Sequence, residues 1–186
     1  VGLLVTLQLV NPYSLIYIPQ AVFQHGEIWR LFTAPFFIGG LDINFLISIL
    51  TSFSFIAGLE LTHFRKRLSN LVFIFILNAV LVLTLSSIFV SFSIGRSIII
   101  SLEYLYSKLN SQGVVRLFMI LPIPVAYLPF VGIVFAVIQN ASIIPNVIGI
   151  LSGHIVFYIL FILPVEMGRP FLKCPKFLVD WLDDNG

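Results

Sequence analysis

The chain has 186 residues, 59% of them hydrophobic and 10% charged, with a net charge of +2, whereas soluble domains run at roughly 45–50% and about 25%. No water-soluble fold of this size has an interior that hides so much apolar surface, and a mean hydropathy of +1.09 excludes that class in favour of a lipid bilayer. The single cysteine, Cys174, leaves no disulfide framework or cysteine-based metal cluster, and the low net charge without a basic tract excludes nucleic-acid binding.

A helix needs roughly 20 apolar residues to cross the hydrocarbon core, where an unpaired backbone group has no water to turn to. Residues 1–10 are apolar but too short, and read as the end of a truncated first span; no signal peptide is read there. Residues 11–40 carry Pro12, Pro19, Pro35 and Gly39–Gly40 among many aromatics, which predicts an amphipathic, interrupted loop. Further spans are predicted at about 41–59, 71–90, 92–109 (shorter and more polar), 117–138 and 144–163. Pro122, Pro124 and Pro129 should bend the start of the fifth span. The expected architecture is an all-α polytopic bundle of about six helices over residues 1–164, with a polar tail over 165–186.

Loop charges give the orientation. Arg65, Lys66, Arg67, Lys108, Arg116, Arg169, Lys173 and Lys176 all fall on one side if the spans alternate, leaving Arg30 and Arg96 opposite. That basic side, with the C-terminus, is expected to be cytosolic.

Polar residues inside spans are costly and therefore candidates for function. On the second span Asn44, Ser48 and Ser52 recur every fourth residue, forming one polar face that either pairs helices or lines a water-filled cavity. On the fourth, Ser97, Ser101, Tyr104 and Lys108 share a stripe, with Glu103 beside it. Ser101 and Glu103 join Asn44, Ser48 and Ser52 as expected cavity-lining groups. On the sixth, Gly149 and Gly153 form a G-x-x-x-G that admits a close neighbour, and His154 follows directly. If the sixth span packs on the Ser97 face, Ser97 and His154 would supply the minimum for acyl transfer, a hydroxyl and a general base. His25, His63 and His154 are too scattered for a metal site, and no cofactor motif is present. Asn140-Ala-Ser142 is a glycosylation sequon on the expected lumenal side, close against the membrane.

Several stretches together resemble one family. His25-Gly-Glu-Ile-Trp29-Arg30-Leu-Phe-Thr33 is similar to the first-loop signature of the Derlins, and Gly58-Leu-Glu60 to the end of their second span. Tyr106-Ser-Lys-Leu-Asn110, Val115-Arg116, Tyr127-Leu-Pro-Phe130, Gly153-His154-Ile155, Pro164 and Leu172-Lys-Cys-Pro175 follow in the family's order. The resemblance implies a rhomboid-like six-helix bundle in the endoplasmic-reticulum membrane, with Gly95, Gly149 and Gly153 at helix contacts. It also implies a non-catalytic role, the retrotranslocation of misfolded proteins for degradation. Implied partners are misfolded substrates, a membrane ubiquitin ligase complex, the valosin-containing AAA+ ATPase and the lipid bilayer itself, with no cofactor. Trp29 and Arg30 correspond to a first-loop element in the lumenal leaflet that contacts membrane or substrate.

The chain departs from that pattern at Gly95-Arg96-Ser97-Ile98, where active rhomboids carry Gly-x-Ser-Gly and Derlins usually lack the serine. An intramembrane serine protease using Ser97 and His154 is therefore the alternative reading, although Ile98 and Arg96 add bulk beside the serine. Asn44 and Ser48 stand where active rhomboids carry His and Asn, Leu160 and Phe161 replace an acidic pair, and no ATPase-binding tail motif falls within these residues. A small-solute transporter is the third reading, without the internal symmetry such proteins often show.

Overall fold

The computed structural model describes residues 5, 10–38, 43–65, 68–89, 91, 93–117, 121–169 and 172–183, and within these the side chains of 43–48, 116, 117 and 121 are not described. Prolines break the first segment into short pieces, as their fixed φ and missing N–H require. A 3-10 turn at Pro12–Ser14 is capped by the Asn11 carboxamide, which accepts from the Tyr13 N–H at 3.0 Å. Helix α1 (Pro19–His25) opens on a proline and closes on Gly26 at φ 69°, a left-handed conformation that glycine reaches without strain. Helix α2 (Trp29–Thr33) runs into a 3-10 turn at Ala34–Phe36.

Four longer helices follow from segments rich in Leu, Ile, Val and Phe: α3 (Ile43–Thr62), α4 (Leu68–Phe89), α5 (Ile94–Leu109) and, after a hairpin, α6 (Leu128–Ile138). Helix α7 (Ile144–Phe157) continues through a π-turn at Tyr158–Ile162 into α8 (Leu163–Met167). Pro164 accounts for the wide turn: its ring crowds the carbonyl four residues earlier, and a longer repeat relieves that contact. Among the described residues, Leu68–Phe89 and the continuous Ile144–Met167 are each long and apolar enough to cross a membrane alone.

Helix α5 is only 16 residues long and sits at the centre, touching α3, α4, α6 and α7. Its most extensive contact is with α7. Enclosure by other helices is why this segment tolerates three serines; Ser97, Ser101 and Ser107 are buried in protein, away from lipid. Glycine sets the distance of the α5–α7 contact. A Cβ on Gly149 would lie 2.6 Å from the Ser97 carbonyl oxygen, and one on Gly153 would lie 2.8 Å from that of Ser101. Gly95 is equally tight, with the Phe37 carbonyl 2.6 Å from its absent Cβ, so the first loop packs on the start of α5.

The segment expected as a proline-bent fifth span differs. Strand β1 (Val114–Leu117) pairs antiparallel with strand β2 (Leu121–Pro124), and helix begins only at Leu128. Pro122 and Pro124 explain this, because a proline disfavours α conformation in the residue before it, and two in alternation hold the chain extended. The expected 165–186 tail also does more than trail. Helix α9 (Lys176–Leu182) buries Leu178 against the start of α4. The Asp183 carboxylate accepts from the Ser69 N–H at 3.0 Å and the Ser69 hydroxyl at 2.6 Å, capping α4 from a distant part of the chain.

The glycine contacts yield a paired expectation. Gly149→Leu drives a side chain into the Ser97 backbone and should cost about 1–3 kcal/mol, as overpacking does, read as a lowered midpoint of thermal unfolding in detergent. Gly132→Leu, whose Cβ meets nothing within 4 Å, should leave the midpoint unchanged.

Candidate functional site

Three helices meet at one carboxamide. Asn78 of α4 is fully buried; its Oδ1 accepts from the hydroxyls of Ser101 on α5 and of Ser152 on α7, the latter at 3.0 Å. Its Nδ2 donates back to the Ile74 carbonyl at 3.2 Å. A second strut joins α7 to α6, where the buried Asn146 donates to the Gly132 carbonyl at 2.8 Å. Neither Asn78, Ser152 nor Asn146 was singled out from sequence. Asn78 stands alone in the apolar middle of a 22-residue helix whose other polar residues lie toward its two ends, and that isolation is the available signal.

Ser97 is fully buried against Gly149, and its hydroxyl donates to the Ser93 carbonyl at 3.2 Å. His154 is exposed at the side of the bundle, its Nδ1 sharing a 2.8 Å hydrogen bond with the Tyr104 hydroxyl. The two rings meet edge to face at 5.9 Å, and the Lys108 ammonium lies 5.4 Å from the Tyr104 ring centre. Among the described residues no hydrogen bond joins Ser97 to His154. The helix register gives the reason. Helix α7 pairs Gly149 with Ser97 and Gly153 with Ser101, so His154 stands level with Leu102, roughly 7.5 Å further along the axis at 1.5 Å per residue. A nucleophile–base pair needs contact at about 2.6–3.2 Å.

The remaining candidates are dispersed. Asn44 and Ser48 lie on α3 among the side chains that are not described, while Ser52 is half-buried on the same helix. Glu103 is half-buried on α5 and has no hydrogen bond among the described residues. No three His, Cys, Asp or Glu side chains converge among the described residues.

The first loop is the other organised polar site. Arg30 is only 7% exposed. Its Nε donates to the Glu27 carboxylate, and its Nη1 donates to the Tyr13 carbonyl and, at 2.9 Å, to the Ile16 carbonyl. Irregular backbone at a membrane surface leaves carbonyls without helix partners, and a guanidinium carries enough directed donors to satisfy two and pair a carboxylate together. Thr33 adds a bond to the Leu15 carbonyl at 3.3 Å, and the buried Tyr17 reaches Ser87 on α4 at 2.6 Å. Trp29, beside the clamp, stays 53% exposed, the posture of an interfacial anchor.

With this geometry in place, comparison with known proteins is specific. Residues 1–176 match the Der1-like family. The chain is 33% identical to Derlin-1.2 of Zea mays over 178 residues, 94% of this chain and 73% of that protein. It is 32% identical to Derlin-1 of Arabidopsis thaliana over 174 residues, 92% of this chain and 65% of that protein. A probable derlin-1 homolog of Dictyostelium discoideum is 31% identical over 162 residues, 85% of this chain and 66% of that protein. The chain thus spans about two thirds to three quarters of the length of these relatives.

Two expectations follow. Asn78→Ala strands two buried hydroxyls and should lower stability by about 1–2 kcal/mol, whereas Ser97→Ala removes a bond within its own helix and should change the thermal midpoint little. Arg30→Lys keeps the charge but loses the directed fork; a cysteine placed at Ile16 should then react faster with a membrane-impermeant maleimide than it does with Arg30 intact.

Proposed function

Because the chain belongs to the Der1-like family, a family of polytopic membrane proteins with a rhomboid-like helical bundle, we propose that it is a non-catalytic factor for moving misfolded proteins across the endoplasmic-reticulum membrane for degradation. The observation that carries this reading is the match over residues 1–176, which takes in the first loop, the central helices and the start of the tail. The partners the family implies are misfolded substrates, a membrane ubiquitin ligase complex and the valosin-containing AAA+ ATPase. The basic loops and the C-terminus face the cytosol in this reading, in keeping with the bias of Lys and Arg.

The polar groups that a protease would use support a non-catalytic role through their existing partners. The Ser97 hydroxyl is turned to Ser93, and the His154 Nδ1 to Tyr104. The proposed working parts are instead the clamped first loop, which seats Trp29 in the lumenal leaflet and thins the bilayer beside it, and the sequence stretch of α3 in which Asn44, Ser48 and Ser52 recur every fourth residue. Local thinning lowers the cost of carrying polar chain through lipid.

Cells lacking the protein should clear a misfolded lumenal glycoprotein reporter more slowly, in a pulse-chase, and regain the rate with the unmutated protein and with Ser97→Ala alike. A fluorophosphonate probe should leave the purified protein unlabelled. Labelling that disappears in Ser97→Ala would instead establish a serine protease.

A further inference from the structure

The small hairpin between α5 and α6 has two unlike edges. Val114 pairs with Pro124, Val115 with Ile123 and Arg116 with Pro122. In an antiparallel ladder, successive pairs alternately turn their backbone groups toward each other and away. Proline has no N–H, so Pro122 and Pro124 fit the outward-turned places. The bond from the Val125 N–H to the Gly113 carbonyl, 2.9 Å, sets the same phase from the other end. On the β2 side the outer edge therefore lacks donors at both places, a device that blunts strand pairing. On the β1 side the N–H and carbonyl of Val114 and of Arg116 turn outward, two residues and so about 6.8 Å apart. No backbone hydrogen bond from another described residue reaches them, and Val114 is 65% exposed. Beside this strand lies a cleft of about 350 Å³ lined by Tyr106, Leu109, Asn110, Gly113, Val115 and Val125.

We infer that the outer edge of β1 is a docking strand for an extended polypeptide segment, which adds to the hairpin as a third strand. The complementarity is that of backbone to backbone. Alternating donors and acceptors at a two-residue spacing match an extended chain, whereas a helix has its groups paired internally and a lipid phosphate offers acceptors alone. Main-chain bonds give affinity without demanding a sequence, and alternate side chains of the incoming strand meet the mixed polar and apolar cleft. The closed β2 edge confines pairing to one side. The inference rests on the proposed function for the source of the peptide, an unfolded substrate, and in the orientation proposed there the hairpin lies on the exit side of the membrane.

The test uses the full chain in lipid nanodiscs and a fluorescent peptide of alternating Thr and Val with Lys at both ends, followed by anisotropy. A peptide of the same sequence N-methylated at every residue keeps the side chains and removes the donors. Val114→Pro removes one outward N–H from β1 as Pro124 does from β2, and Val114→Thr changes the side chain alone. The expected results are saturable binding of the parent peptide, about tenfold weaker binding to Val114→Pro, unchanged binding to Val114→Thr, and loss of binding by the methylated peptide. Absence of parent-peptide binding overturns the inference, as does equal binding of the methylated peptide to the unmutated protein, a comparison that stands even if Val114→Pro misfolds. Peptide binding lost while reporter clearance in cells still depends on the protein defeats the docking strand alone; binding retained without that dependence defeats the proposed function alone.

Discussion

The carboxamide of Asn78 holds α4, α5 and α7 to a single point, and the rest of the bundle is arranged around that point. Its importance comes from the surroundings. In a bilayer no solvent completes an unpaired hydrogen bond, so a buried amide either finds protein partners or destabilises the helix that carries it. Two serines on two other helices satisfy one oxygen, and this fixes rotation and height of α5 and α7 relative to α4 simultaneously. Apolar packing between lipid-like side chains lacks such directional information. Glycine sets a second contact of α7, bringing its backbone against α5 at Gly149 and Gly153 while Ser152 of the same helix reaches α4.

The first loop obeys the same constraint with a different donor. Here the unpaired groups are backbone carbonyls in a segment that prolines keep from becoming a helix, and Arg30 is drawn inside to serve them. A buried cation is costly unless paired, and Glu27 supplies the counter-charge. The result is a loop fastened to α4 through Tyr17 and seated on the start of α5 at Gly95, with Trp29 left outside. The Trp-Arg pair thus divides its work: one residue faces the interface while the other holds the loop in shape.

Much of this is legible in the sequence because hydrophobic length and the placing of prolines and glycines are one-dimensional signals. The stretch that became α4, the close approach at Gly149 and Gly153, and the broken first loop each follow from local residue chemistry. The partner of His154 was not legible. Ser97 and Tyr104 lie on one stripe of α5, and only the register of α7, set by two glycines, decides which of them the imidazole meets. Asn78 is not legible either, because one amide in the apolar middle of a helix has no periodicity; its meaning lies in two residues far along the chain. The hairpin is hidden for another reason. An apolar, proline-containing segment of that length matches a bent helix as well as a short strand followed by a helix, and the spacing of Pro122 and Pro124 by two residues was the overlooked discriminator.

The cap that Asp183 places on α4 gives the tail a mechanical meaning. Ser69 and Asp183 are far apart in sequence yet share two hydrogen bonds, with the Cys174 thiol 3.5 Å from the Ser69 carbonyl as a further contact. Through these bonds the tail meets the membrane domain at the start of α4. The same helix carries Asn78. The tail is therefore tied to the start of the helix whose carboxamide positions the other two, so a displacement of α9 acts on that helix first.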